Sequence, residues 1–111
     1  MSVTVKKIEA LVEQLTKEIN HPLRYAVDTH GISVFVHGVE GHIMRVYHAK
    51  TKIELWFLLG HRGRALGHLG IFPAQWKGWY TMDITDDTKL GAIKSLLMEA
   101  VLFSKECSCK I

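Results

Sequence analysis

From residue 23 to residue 59 the apolar side chains recur at every second position, and glycines or polar pairs interrupt them at close intervals. A helix would scatter such a pattern around its whole circumference, so the stretch commits the chain to an antiparallel sheet. Four strands are expected, at 23–28, 32–37, 42–48 and 52–59. The intervening turns, Asp28-Thr29-His30-Gly31, Gly38-Val39-Glu40-Gly41 and Ala49-Lys50-Thr51-Lys52, are short enough to force neighbours in sequence to pair. The last strand contains Ile-Glu-Leu-Trp-Phe-Leu-Leu over 53–59, the most apolar strand-like run, and reads as the centre of the sheet.

If each turn closes on a two-residue loop, Asp28 faces Gly31, Gly38 faces Gly41 and Ala49 faces Lys52. One sheet face then carries Phe35, Met44, Val46, Ile53, Leu55, Phe57 and Leu59, with His37, His42 and His48. The other carries Leu23, Tyr25, Val27, Ile32, Val34, Val36, Ile43, Arg45, Tyr47, Trp56 and Leu58. Neither face is polar, whereas a sheet with one wet side alternates cleanly. Three arrangements satisfy this pattern: a helix on each face, both helices on one face with a subunit or partner on the other, or a bulge that breaks the register. The second is the arrangement expected here.

Helices flank the strands. Val5, Ile8, Val12, Leu15 and Ile19 recur at steps of three and four, with Lys6, Lys7, Glu9, Glu13 and Lys17 opposite, until Asn20 and Pro22 stop the helix. Near the C-terminus, Thr85-Asp86-Asp87-Thr88 supplies capping groups for a broad stripe of Leu90, Ile93, Leu96, Leu97, Ala100, Val101 and Phe103. Residues 106–111 form a frayed tail in this reading. A fifth strand is expected at 80–84. The predicted class is a single α+β domain over 1–111, in the order α-β-β-β-β-loop-β-α.

Composition narrows the function classes. In 111 residues, 48% hydrophobic and 23% charged content describe a chain that buries a core and is neither disordered nor fibrous. No apolar run approaches the roughly 20 residues of a membrane span, and Met-Ser-Val-Thr-Val-Lys-Lys lacks the order of a signal peptide, so a cytoplasmic protein is expected. Cys107 and Cys109 are too close for an ordinary disulfide and too few for zinc, which leaves reduced thiols. The net charge of +3 inclines the chain toward anionic partners.

Residues 60–79 fit no regular element, and a loop this long is usually functional or mobile. His61, Arg62, Arg64 and His68 stand among glycines that let backbone N–H groups approach an anion, and Trp76 and Trp79 bracket Lys77. Interleaved basic and aromatic residues are what single-stranded nucleic-acid grooves use, for charge and for stacking. Neither a P-loop nor a dinucleotide fingerprint is present. The plainer alternative is a connector whose tryptophans plug a hydrophobic edge.

Two further groups stand out. His37 and His42 are opposed in the assumed register beside Glu40, a weak candidate metal pair with no third ligand set by spacing. Arg45 and Trp56 are cross-strand neighbours with Tyr47 beside them, either a stabilising cation–π cluster or a contact patch. No Ser/His/Asp arrangement is readable, and His61 with His68 is the one acid–base option. The expected function is therefore a non-catalytic module binding an anionic macromolecule, nucleic acid or an acidic protein, through the 60–79 loop, with no cofactor. The alternative is a small protein-binding adaptor, inhibitor or chaperone using Arg45, Tyr47 and Trp56; a small phosphodiesterase is the third, and homodimerisation fits the spare apolar face.

Overall fold

The computed structural model describes residues 5–18, 23–29, 31–39, 41–48, 53–84 and 90–108. Helix α1 runs Val5–Glu18 and α2 runs Leu90–Ser108. Between them lie β1 (Leu23–Val27), β2 (Gly31–Val36), β3 (His42–His48), β4 (Ile53–Leu58), β5 (Phe72–Pro73) and β6 (Trp79–Asp83), with a 3-10 helix over Gly60–Leu69. The strands form one antiparallel sheet in the order β1-β2-β3-β4-β6-β5. This is the α+β class that the change of period predicts. The turn at 49–52, the stop at 20–22 and the cap at 85–88 lie outside the described residues, as do Glu40 and the tail beyond Ser108.

Two of the three hairpin registers follow from turn length. Val27 pairs with Ile32, and Arg45 with Trp56, as the assumed loops require. Asp28 anchors the first turn: its N–H donates to the Gly31 carbonyl (2.8 Å), and its Oδ1 accepts from the Gly31 N–H (2.9 Å). Gly31 sits at φ 152, and a Cβ there would lie 1.7 Å from the Val46 carbonyl oxygen, so only glycine permits this approach of β2 to β3.

The β2–β3 register departs from the assumed one. Val34 faces Met44 but Phe35 faces His42, so Ile43 is one residue too many and β3 bulges there. Ile43 and Met44 are consecutive and both buried. The bulge removes the conflict between the two apolar faces. Ile32, Val34 and Val36 now share a face with Met44, Val46, Ile53, Leu55 and Phe57, and all of them are buried. Val12 and Leu15 of α1 and Ile93, Leu96, Leu97, Ala100 and Val101 of α2 join the same core, so both helices lie on that face. At about 1.5–3 kcal/mol per fully buried large apolar side chain, this layer is the main source of stability.

The opposite face carries Ser33, Phe35, His42, Arg45, Tyr47, Trp56, Thr81 and Trp79, and no described helix covers it. Its outer edge beyond β6 is blunted by β5, which is two residues long and ends in Pro73, a residue with no N–H to offer.

The glycine-rich segment after β4 is more regular than its sequence implies. A Cβ at Gly60 would stand 2.1 Å from the Phe103 ring, and one at Gly63 2.1 Å from the Tyr80 ring, so the missing side chains let the 3-10 helix press against α2 and β6. Arg62 Nη1 donates to Glu99 of α2 at 2.8 Å, and Arg62 Nη2 pairs with Glu106. His61 Nε2 lies 2.9 Å from the same Glu106 carboxylate. Glycines here serve close packing.

Candidate ligand site on the open sheet face

The open face is built around one cross-strand row. Arg45 of β3 faces Trp56 of β4, which faces Thr81 of β6. Side chains directly opposed on an antiparallel pair meet, so the three form a continuous strip across the sheet. Arg45 is held from below by Asp28 and Ser33, both accepting from Nη1, the former at 3.4 Å. Its guanidinium lies 4.8 Å from the Tyr47 ring centroid. The Arg45 side chain is thereby 15% exposed, a charge brought into the sheet surface and fixed there.

Aromatic rings wall this strip. Tyr47 meets Trp56 edge-on with centroids 5.4 Å apart, and Trp76 packs against Trp56 at 5.3 Å with the two rings tilted by 50°. His42 lies between Phe35 (6.2 Å) and Trp79 (5.3 Å). Trp76 comes from the turn that joins β5 to β6 and Trp79 is the first residue of β6, and the Trp79 N–H donates to the Trp76 carbonyl at 3.1 Å. His42, Arg45, Tyr47, Trp56, Trp76 and Trp79 together enclose a concavity of about 300 Å³. That volume is at the low end of small-molecule sites and suits one planar ring system. Trp76 is 54% exposed and forms the outermost wall.

Three polar atoms in the strip have no hydrogen-bond partner among the described residues and are closed to solvent: Arg45 Nε, Trp56 Nε1 and Thr81 Oγ1. An unpaired buried polar group costs about 1–3 kcal/mol, so three neighbours in one row are a marked departure from the satisfaction usual in folded proteins. His42 has its pKa lowered, first by burial and second by the charge of Arg45, both of which favour the neutral imidazole.

A second concavity, of about 630 Å³, opens at the end of β4 between the 3-10 helix, α2 and the β5–β6 turn. Its polar lining is His61, Arg64 and Lys77, set against Leu58, Tyr80 and Phe103. The two concavities share a wall: of the consecutive residues 76–79, Trp76 and Trp79 line the first, Lys77 and Gly78 the second.

The sequence candidates are therefore redistributed. Trp76 and Trp79 leave the basic residues of their loop and join Arg45, Tyr47 and Trp56, which the sequence assigns to a separate patch. Arg64 and Lys77 stay together, while Arg62 is committed to two carboxylates, which hold its charge and raise its pKa through hydrogen bonds to Glu106 and Glu99. His68 is exposed and lines neither concavity. The bulge places His42 opposite Phe35 instead of His37, and among the described residues no three metal-binding side chains come together. Tyr80 and Phe103 escape sequence reading because each joins the second concavity only through β4–β6 pairing or α2 packing, which leave no local signal. No helix among the described residues is long and apolar enough to cross a membrane. Comparison with known proteins returns no match to a family, to a curated protein or to a solved structure.

Proposed function

We propose that the protein is a non-catalytic binding module for single-stranded nucleic acid, which stacks a base in the aromatic concavity while Lys77 and Arg64 contact the adjoining phosphates. The observation that carries this reading is the shared wall, which puts an aromatic site for a planar ring directly beside a cationic site for an anion. That is the alternation of a nucleotide chain, and both components are independent of base order. The formal charge of +3 works in the same direction. A duplex does not fit the arrangement, because its bases are stacked and cannot enter a concavity of about 300 Å³ one at a time.

A protein partner is the second reading, favoured by two exposed aromatic residues, Phe72 of β5 at 68% and Trp76 of the following turn at 54%. Salt separates the two. Anisotropy of labelled single-stranded DNA and RNA is expected to show binding at about 50 mM salt that weakens steeply by about 200 mM. Replacing Arg64 and Lys77 together by glutamate is expected to flatten the logarithmic salt slope by about 0.7 for each lost phosphate contact. Absence of binding at the lower salt overturns the reading and directs attention to Phe72 and Trp76 as a protein contact.

A further inference from the structure

Resting on that reading, we infer that the second concavity holds the next base of the same strand, so that the unit recognised is two consecutive nucleotides, one on each side of the 76–79 wall. The inference comes from what phosphate contacts alone leave unused. A phosphate needs only the cations Arg64 and Lys77, yet the concavity they line measures about 630 Å³, against about 300 Å³ for its neighbour. Leu58, Tyr80 and Phe103 line the remainder, and each is only partly buried. Apolar surface left open beside cations suits a ligand that carries an anionic group and a flat apolar body in close succession, as a nucleotide does.

The charges around the concavity complement such a ligand. None of the residues lining it is acidic. The carboxylates that α2 presents to this segment are already engaged, Glu99 by Arg62 and Glu106 by Arg62 and His61. The side chains of Arg64 and Lys77 form no hydrogen bond or ion pair among the described residues. The Glu106 contact also fixes His61, whose ring meets Phe103 edge-on with centroids 5.6 Å apart. His61, Phe103 and Tyr80 therefore bring three rings to the lining, and stacking on such rings is how single strands are held.

The two concavities adjoin at two places. Their wall is a single pass of main chain: Trp76 lines the first and Lys77, the next residue, lines the second, with neighbouring Cα atoms about 3.8 Å apart. Across β4 and β6, Trp79 of the first stands directly opposite Leu58 of the second. A strand that crosses the wall on one phosphodiester link passes Lys77, and the bases on either side of that link enter different concavities.

The test uses the full chain and three labelled twelve-residue strands, read by anisotropy at about 50 mM salt. One is all thymidine, one alternates thymidine with abasic sites, and one is all abasic. In the alternating strand no two consecutive nucleotides both carry a base, so one concavity stays empty in every register. That strand is expected to bind at least about fivefold more weakly than all thymidine, the low end for loss of one stacked base. A site for one base at a time would lose only about twofold, because half the bases it can choose are gone. Phe103→Leu keeps an apolar side chain and removes the ring. It is expected to bring all thymidine down to the level of the alternating strand and to leave the alternating strand unchanged, with circular dichroism confirming the fold. The comparison of strands on the wild type stands without any variant.

A smaller loss than about fivefold for the alternating strand on the wild type overturns the inference and leaves a single base in the aromatic concavity. So does a loss in Phe103→Leu that is the same for both strands. If the all-abasic strand binds as well as all thymidine, phosphate contacts alone act, and a base in either concavity is excluded. If no strand binds, the nucleic-acid reading fails and this inference fails with it.

Discussion

The two faces of the sheet differ in how completely their side chains are satisfied. On the helix-covered face Ile32, Val34, Val36, Met44, Val46, Ile53, Leu55, Phe57 and Met82 are buried and carry no hydrogen-bonding side chain. On the open face the strip from Arg45 to Thr81 keeps three buried polar atoms without hydrogen-bond partners among the described residues. Similar strand pairing supports both. Under the proposed function, stability and recognition are separated across a single layer of backbone, and a substitution should disturb one or the other according to the direction in which its side chain points.

The largest effect expected breaks the covered face. Phe57→Ala removes a fully buried ring and should cost about 3–5 kcal/mol in urea unfolding, a large share of the stability of a small domain. Binding by the molecules still folded should be unchanged. Gly31→Ala comes next, because its methyl group would meet the Val46 carbonyl at 1.7 Å at a backbone angle that disfavours side chains. A loss of about 1–3 kcal/mol or more is expected in the same assay, with melting of the β1–β2 hairpin visible first in hydrogen exchange.

Trp76→Ala should show the reverse pattern. Its side chain is more than half exposed, so unfolding should shift by no more than about 0.5 kcal/mol, while affinity for a single strand falls by about 1–3 kcal/mol. A stability loss comparable to that of Phe57→Ala would mean that Trp76 is part of the core, and the distinction between faces would collapse.

The smallest effect concerns the 3-10 helix. Hydrogen bonds from Arg62 and then His61 hold the Glu106 carboxyl below its ordinary value of 4.5. A depressed carboxyl stabilises the fold above that ordinary value and loses the contribution as pH falls through the depressed one. Wild type should therefore melt slightly higher than Glu106→Gln at pH 7, and the difference should vanish in acid. A difference that persists in acid would show packing, not charge, to be responsible.

Much of this arrangement could be read from spacing. The steps of three and four place both helices, and the short turn at 49–52 places Arg45 opposite Trp56 before any coordinate is known. The bulge at Ile43 could not be read, because a turn of fixed length is compatible with either register and only the combined burial of Ile43, Met44 and Val34 favours the one adopted. The order in residues 60–69 was hidden for another reason: Arg62 meets its partners 37 and 44 residues downstream. A run of glycines beside free cations looks mobile until those carboxylates are placed. The site itself fell between two local patterns, since nothing near Trp76 in sequence points to Trp56.

The wall between the concavities is fastened in an unusual way. The Gly78 carbonyl accepts from the Leu59 N–H at 2.9 Å and from the Gly60 N–H at 3.0 Å, so the turn is tied to the end of β4 by main-chain hydrogen bonds. Substitution at 76, 77 or 79 leaves both bonds in place. The turn is consequently an exchangeable cassette: aromatic character, charge or size can be varied on either side of it while the spacing between the two sites is preserved. A lineage, or a designer, could vary the two concavities one residue at a time without rebuilding the scaffold that presents them.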